Sequence, residues 1–249
     1  MKRILCFGAI FAITALEQLP ATCTVAIAGH DFGLLAADCI EDRDGSQSVA
    51  CKVYTSNGLA ATLAGVVFDG NTGLDLATVA TTAMAQSDSP LSAAEHFAAI
   101  ALPQLARSLE RQRAEAWEMW HNRLGGVLAR AIFAGIEGGK VALVVRMIEV
   151  SSEGLVKDLG SELIVSNSAP RVRVFCEKAA ARMRSDPSLK SVEPGRLAFE
   201  LIHAAVATHD GTRAENALNV SVIRVGKNGV KWLNVGACLD KAHTAKPHR

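Results

Sequence analysis

The sequence has almost no excess of charge of either sign. Its 249 residues include 26 Lys and Arg against 25 Asp and Glu, a formal net charge of +1. Residues 1–21 hold two of the basic residues and one of the acidic ones, so the remainder carries 24 of each. Nucleic-acid-binding proteins usually present a basic face. The balance therefore gives no electrostatic reason to expect a nucleic-acid partner.

The sequence also lacks closely spaced metal ligands and a long apolar run. It contains no Cys-x-x-Cys or His-x-x-x-His arrangement, so we expect no metal and no cofactor. The longest early apolar run, residues 4–16, has about thirteen residues, which is too short to span a bilayer comfortably. We therefore expect no membrane association once the leader described next has been removed.

The first 21 residues have the features of a secretory signal peptide. Lys2 and Arg3 precede the apolar run, and Ala21 offers a small residue at the cleavage site. This pattern predicts a cleavable leader over residues 1–21 and an exported protein, periplasmic or secreted. The alternatives are a cytoplasmic protein with a propeptide that cleaves itself, or a first helix that stays buried in the fold. Either cut would leave residues 22–249 as one domain that begins at Thr22.

Residues 22–38 are the most informative stretch of the chain. Two short apolar runs rich in β-branched residues flank a glycine-containing turn at residues 29–33, which predicts a β-hairpin that ends at Asp38. With the leader removed, Thr22 would carry a hydroxyl and a free α-amine on one residue. An α-amine with a pKa near 8 can take the proton of a hydroxyl nucleophile. These are the requirements of an N-terminal nucleophile hydrolase.

The first part of the predicted domain resembles the start of a proteasome β-type subunit, including the bacterial ring peptidases related to it. The matching positions are a Thr-x-Thr start, an Ala-Ala-Asp strand end, a Lys before a third strand, an Ala-Gly turn after a fourth, and a following Asp. Here these are Thr22 and Thr24, Ala36-Ala37-Asp38, Lys52-Val53-Tyr54, Leu63-Ala64-Gly65, and Asp69. Two departures are an interval from Asp38 to Lys52 that is about two residues shorter than usual and Ala21 in place of Gly.

The resemblance implies a role for each matching residue. Thr22 would be the nucleophile, Lys52 would lie beside its hydroxyl, and Asp38 would pair with Lys52 and keep it charged and oriented. Gly65 would supply the backbone N–H that stabilises the oxyanion. Leu63 and Val67 would line an apolar substrate pocket.

Supporting groups near the terminal amine are expected farther along the chain. The resemblance places a supporting Asp at Asp210, with Thr212 close by, and a supporting Ser at Ser166 or Ser168. The segment around Asp210 departs from the usual Asp-x-x-Ser spacing of the family.

Five cysteines would remain after leader removal, and an odd number leaves at least one of them unpaired. Cys39 follows Asp38 and Cys51 precedes Lys52. If Asp38 and Lys52 both point at Thr22, strand alternation turns these two cysteines to the opposite face. They would then either form a disulfide or remain two buried thiols.

The remaining sequence predicts strands, two helices, strands, two helices and final strands, with no repeat or long linker. Within this order we expect a loop at 41–48, a helix from Ser89 towards residue 123, strands at 155–159 and 163–166, and a helix at 171–184. The chain is thus predicted to be α+β. The resemblance further implies a four-layer αββα sandwich.

These features favour a threonine-type amidohydrolase, most simply a peptidase that acts on peptides or unfolded chains and assembles into a homo-oligomeric ring. One alternative is a non-catalytic scaffold of proteasome type. Another is a small-amide acylase in which Cys23, exposed by a cut after Thr22, is the nucleophile.

Overall fold

The computed structural model of the protein describes residues 22–43, 46–166, 169–207 and 220–238. The predicted leader, residues 1–21, lies outside these ranges. None of the helices in the described ranges is long and apolar enough to cross a lipid bilayer.

A first five-stranded antiparallel sheet begins with the predicted hairpin, which is confirmed. The hairpin turn is closed by the Gly29 N–H, which donates to Phe32 O at 2.8 Å. In the order in which they pair, the strands are β12 (Arg171–Val174), β1 (Thr24–Ala28), β2 (Phe32–Asp38), β13 (Val220–Gly226) and β14 (Gly229–Asn234).

A second five-stranded antiparallel sheet contains the other long strands. In pairing order they are β11 (Val156–Val165), β10 (Lys140–Val150), β9 (Val127–Glu137), β6 (Leu59–Gly65) and β5 (Val53–Ser56). Asn57 and Gly58 form the turn between β5 and β6, with φ values of 49° and 73°, as an Asn-Gly hairpin turn requires. Two smaller hairpins join β3 (Ile40–Arg43) to β4 (Ser46–Val49) and β7 (Phe68–Asp69) to β8 (Leu74–Asp75).

Five α-helices in the described ranges pack against the large sheets. They are α1 (Leu76–Ala85), α2 (Pro90–Glu115), α3 (Trp117–His121), α4 (Glu177–Ser185) and α5 (Pro194–Ala207). The predicted start of α2 is confirmed, because the Ser89 hydroxyl accepts the Ser92 N–H and Pro90 occupies the first turn. Helix α1 is capped by Asp75, whose carboxylate accepts the Ala77 and Thr78 N–H groups.

The buried apolar side chains form three clusters. One lies where the two large sheets face each other and includes Ala26, Leu35, Ile132, Leu143 and Ile223. A second lies between the second sheet and helices α1 and α2, with the rings of Phe97 and Phe133 at 5.7 Å. The third lies between the first sheet and helices α4 and α5.

The prediction of a four-layer αββα sandwich is wrong. The described chain is a β-rich fold of mostly antiparallel sheets with five helices. Outer strands remain open to solvent: Leu159 and Leu163 on β11 are 49% and 46% exposed, and Leu233 on β14 is 44% exposed. The order of elements predicted which segments are helical but not how much of each sheet they cover.

Four local predictions are also wrong. The expected loop at 41–48 contains most of hairpin β3–β4, and the strands expected at 155–159 and 163–166 are the single strand β11. The helix that begins after Ser89 ends at Glu115, before the short helix α3. The helix expected at 171–184 begins as strand β12, because Arg-Val-Arg-Val alternates with the period of a strand and pairs with β1.

The cluster beneath α2 yields a stability prediction. Phe97 is 1% exposed and packs on Phe133, so Phe97→Ala should lower the free energy of unfolding by about 3–5 kcal/mol. Phe68, which is 53% exposed, is the matched control, and Phe68→Ala should change it by no more than about 0.5 kcal/mol. Urea titration of the two oxidised variants measures both values. Equal losses would contradict the described packing.

Candidate active site

Three of the predicted site residues meet at one end of the two large sheets. Lys52 Nζ donates to Thr22 Oγ1 at 3.0 Å and to Asp38 Oδ1 at 2.7 Å. Thr22 lies just before β1 and Asp38 ends β2, so both belong to the first sheet. Lys52 lies just before β5, in the second sheet. The site is therefore assembled from both sheets.

The Asp38 carboxylate connects the start of β1 to the lysine. The register of β1 and β2 pairs Thr24 with Ala37, which brings Asp38 opposite Cys23. Asp38 Oδ2 accepts the Cys23 N–H, and the Asp38 N–H donates to Cys23 O at 3.1 Å. Asp38 is only 6% exposed, and a buried carboxylate requires such partners to offset its lost hydration.

Lys52 brings a largely buried positive charge to the Thr22 hydroxyl. The side chains of Lys52 and Asp38 are 12% and 8% exposed, so water screens their ion pair only in part. A cation held 3.0 Å from Thr22 Oγ1 favours negative charge that develops on this oxygen. The arrangement can therefore activate Thr22 as a nucleophile.

Gly65 lies on the strand next to Lys52 and adopts a conformation that favours glycine. Val53 pairs with Thr62, so one further step along the register places Lys52 opposite Leu63, two residues before Gly65. Gly65 has a φ of +96°, and a Cβ there would lie 2.3 Å from Leu128 O. A side chain at this position would therefore be strained and would clash with the backbone of β9.

The two predicted pocket residues pack against the core beneath the helices. Leu63 is 1% exposed and belongs to the cluster under α1 and α2. Val67 is partly buried against the same cluster. Leu63 therefore does not line an open pocket in this structure, while a contact of Val67 with substrate stays a prediction.

The predicted supporting residues are only partly covered by the structure. Asp210, Thr212 and Ser168 lie outside the described residues. Ser166 is buried, and its hydroxyl donates to Ala169 O at 2.5 Å. This hydroxyl therefore bonds to the backbone three residues farther along the chain.

Of the two alternatives for Cys39 and Cys51, the disulfide between them is not formed, and the pair of buried thiols holds for Cys39 only. Cys51 is bonded to Cys238 and Cys23 to Cys176, with Cα–Cα distances of 4.9 and 5.0 Å. Cys39 is buried and forms no disulfide with any described cysteine. Both partners are far away in sequence, so spacing near the motif could not identify them. Because its sulfur is already bonded, Cys23 has no thiol to offer as a nucleophile.

Three polar atoms without described hydrogen-bond partners lie in the space between the sheets beside the site. Thr24 Oγ1, Thr62 Oγ1 and Arg130 Nε are buried and have no hydrogen-bond partner within the described ranges. Thr62 pairs with Val53 next to Lys52, and Arg130 pairs with Ala64 next to Gly65. Burial lowers the pKa of Arg130, whose guanidinium lies 4.5 Å from the centre of the Phe175 ring.

The segment after Gly65 is anchored to α2 by a contact that the sequence did not predict. Ser108 Oγ donates to Asp69 Oδ2 at 2.6 Å, and the Asn71 N–H donates to Asp69 Oδ1 at 3.1 Å. Burial raises the pKa of Asp69, but hydrogen bonds from Ser108, Thr72 and Asn71, with the charge of Arg111, outweigh it and lower the pKa below its usual value. No local pattern links Asp69 to a serine 39 residues away.

Comparison with known proteins does not assign this chain to a family. No protein-family model matches it, and no curated protein matches its sequence significantly.

The Ser108–Asp69 contact predicts a pH-dependent loss of stability. Folding lowers the pKa of Asp69, so the ionised carboxylate stabilises the folded protein at neutral pH. This stabilisation is lost as the pH falls through the pKa that Asp69 has in the folded state. Ser108→Ala should lower the free energy of unfolding by about 1–2 kcal/mol at pH 7, and this difference from wild type should shrink below about pH 4.

Urea titration from pH 7 to pH 3 measures this difference. Ser185→Ala is the control, because the exposed Ser185 hydroxyl bonds only to Arg182 O among its described contacts. Ser185→Ala should change the free energy of unfolding by no more than about 0.5 kcal/mol at every pH. A loss for Ser108→Ala that does not change with pH would show that the charge of Asp69 is not involved.

Proposed function

We propose that this chain is an N-terminal threonine amidohydrolase, with Thr22 exposed by removal of residues 1–21. The observation that carries the proposal is the position of Lys52 Nζ, 3.0 Å from Thr22 Oγ1 and 2.7 Å from Asp38 Oδ1. A threonine, a lysine and an aspartate from three separate segments are in contact. Their identities and positions are those that the resemblance to proteasome β-type subunits implies.

The first half of the proposed reaction forms an acyl-enzyme. The free α-amine of Thr22 takes the hydroxyl proton, directly or through a water, while Thr22 Oγ1 attacks the amide carbonyl. Lys52 stabilises the charge on the attacking oxygen, and the Gly65 N–H is proposed to stabilise the oxyanion. The C–N bond then breaks, the leaving amine takes the proton from the α-ammonium, and an ester to Thr22 remains.

The second half uses water in place of the hydroxyl. The α-amine takes a proton from water, which attacks the ester carbonyl. Breakage of the C–O bond releases a carboxylic acid and returns a proton to Thr22 Oγ1. Asp38 keeps Lys52 in place in both halves through its two oxygens, one on the ammonium and one on the Cys23 N–H.

We further propose that the enzyme is exported and acts on peptides or unfolded chains. Two disulfides in the described residues favour an oxidising compartment. An exported enzyme has no ATP-driven unfoldase beside it, so already unfolded substrates suit it best. Assembly into a homo-oligomeric ring stays a prediction from the resemblance.

These observations bear on both alternatives, the small-amide acylase and the non-catalytic scaffold. A Cys23-dependent acylase is disfavoured because Cys23 is bonded to Cys176. A non-catalytic scaffold needs no contact among Thr22, Asp38 and Lys52, whereas the proposed enzyme depends on this contact. The amidohydrolase is therefore the function that best explains the site.

Covalent labelling tests this proposal. The mature wild-type protein should react with a peptidyl epoxyketone, and mass spectrometry should map the adduct to Thr22. Thr22→Ala should abolish the adduct, because it removes the nucleophilic oxygen. Lys52→Met should slow labelling by about 10²-fold or more, since it removes the charge beside that oxygen.

Two exposed positions supply the controls for labelling. Thr81→Ala on α1 and Lys231→Met on β14 remove the same chemical groups far along the chain from the site, and both should label at the wild-type rate. A wild-type protein that stays unlabelled would support the scaffold instead. An adduct on Cys23 would support the acylase.

A further inference from the structure

Each of the three site residues has a cysteine as its neighbour in the sequence. Cys23 follows Thr22, Cys39 follows Asp38, and Cys51 precedes Lys52. Two of these cysteines are in disulfides with distant parts of the chain, Cys23 with Cys176 and Cys51 with Cys238. The covalent framework therefore reaches the backbone directly beside the nucleophile and the lysine.

The two disulfides differ in what they connect. Cys23 and Cys176 lie at the ends of β1 and β12, which already pair in the first sheet, and the Phe175 N–H donates to Thr24 O at 2.9 Å beside them. Cys51, in contrast, lies two residues before β5 of the second sheet. Its partner Cys238 lies in a 3₁₀ turn, Gly236–Cys238, that follows β14 of the first sheet.

The turn that carries Cys238 is fixed to the first sheet close to Asp38. Asn234 Nδ2 donates to Val220 O at 2.6 Å, and Ser221 Oγ donates to Val235 O at 2.8 Å. Val220 is the register partner of Asp38. The Cys51–Cys238 bond thus joins the residue before Lys52 to the strand that runs beside Asp38.

We propose that the Cys51–Cys238 disulfide is a positioning element for Lys52, and that its reduction moves Lys52 away from Thr22 and suppresses hydrolysis. This inference rests on the proposed function of Thr22. Breaking the S–S bond takes two electrons and two protons from a small dithiol, which becomes a disulfide while Cys51 and Cys238 become thiols. Re-oxidation by a small-molecule disulfide, which becomes a dithiol, reverses the step.

The physical reason is that the Lys52–Asp38 contact bridges two sheets and must be held within a short distance. Lysine is a point charge on a flexible stem, so its position depends on the backbone that carries it. Misplacement of a catalytic group by about 1 Å can cost about 10²-fold in rate. The partly buried Lys52–Asp38 ion pair alone would hold Lys52 only weakly. The hydration that its two charges lose on burial offsets much of their attraction.

The test compares disulfide and thiol variants of the mature full-length chain. The probe is a peptidyl epoxyketone, for which the maximal inactivation rate and the concentration for half-maximal rate are measured separately. In Cys51→Ala/Cys238→Ala the maximal rate should fall by about 10- to 100-fold. The half-maximal concentration should stay within about twofold of wild type, because Lys52 acts on the chemical step and not on probe binding.

Cys39→Ala is the matched control, because Cys39 adjoins Asp38 but lies outside both disulfides. It should keep the wild-type maximal rate. If the double variant does not fold, dithiothreitol titration of the wild type replaces it, with peptide mapping of both disulfides. The maximal rate should then track the fraction of intact Cys51–Cys238 and not that of Cys23–Cys176.

The outcomes separate this inference from the proposed function. A double variant with the wild-type maximal rate, or a loss confined to probe binding, would overturn the positioning role and leave the function of Thr22 intact. A maximal inactivation rate that follows only the fraction of intact Cys23–Cys176 would also overturn the positioning role and leave the function of Thr22 intact. Failure of the oxidised wild-type protein to react at Thr22 would overturn the proposed function and this inference with it.

Discussion

The ion pair between Lys52 and Asp38 is the contact on which the site depends, because it joins the two large sheets at the position of Thr22. Its 2.7 Å contact directs the ammonium to Thr22 Oγ1, and the second oxygen of Asp38 accepts the Cys23 N–H. Neither sheet alone contains the full set of groups. The packing of the two sheets therefore places the cation beside the threonine hydroxyl, as the proposed function requires.

The surroundings of this contact are suited to hold it in place. The space between the sheets is filled by small and apolar side chains such as Ala26, Leu35 and Leu143, which allow the sheets to approach closely. At the site end, the Cys51–Cys238 disulfide also joins the two sheets. Gly65, with its positive φ, ends the neighbouring strand. Rigid packing, a covalent bond and a constrained turn thus surround the one buried ion pair of the site.

The sequence predicted the parts of the site that depend on local pattern and on the family motif. Alternation and turn residues predicted the hairpin that ends at Asp38, and the motif predicted that Lys52 lies beside the Thr22 hydroxyl and pairs with Asp38. It could not predict the disulfide partners Cys176 and Cys238 or the contact of Ser108 with Asp69, because these depend on tertiary approach over long separations. The burial of Leu63 and the incomplete cover of the sheets also depend on how elements pack, which periodicity does not encode.

We propose that Thr22 becomes the first residue of the mature protein, so that its amine and hydroxyl act together beside Lys52. Edman degradation or intact mass determines the N-terminus of protein purified from its native compartment. This measurement tests whether Thr22 is exposed. We expect a chain that begins at Thr22 with a free α-amine. A chain that retains residues 1–21, or that begins within β1, would contradict it.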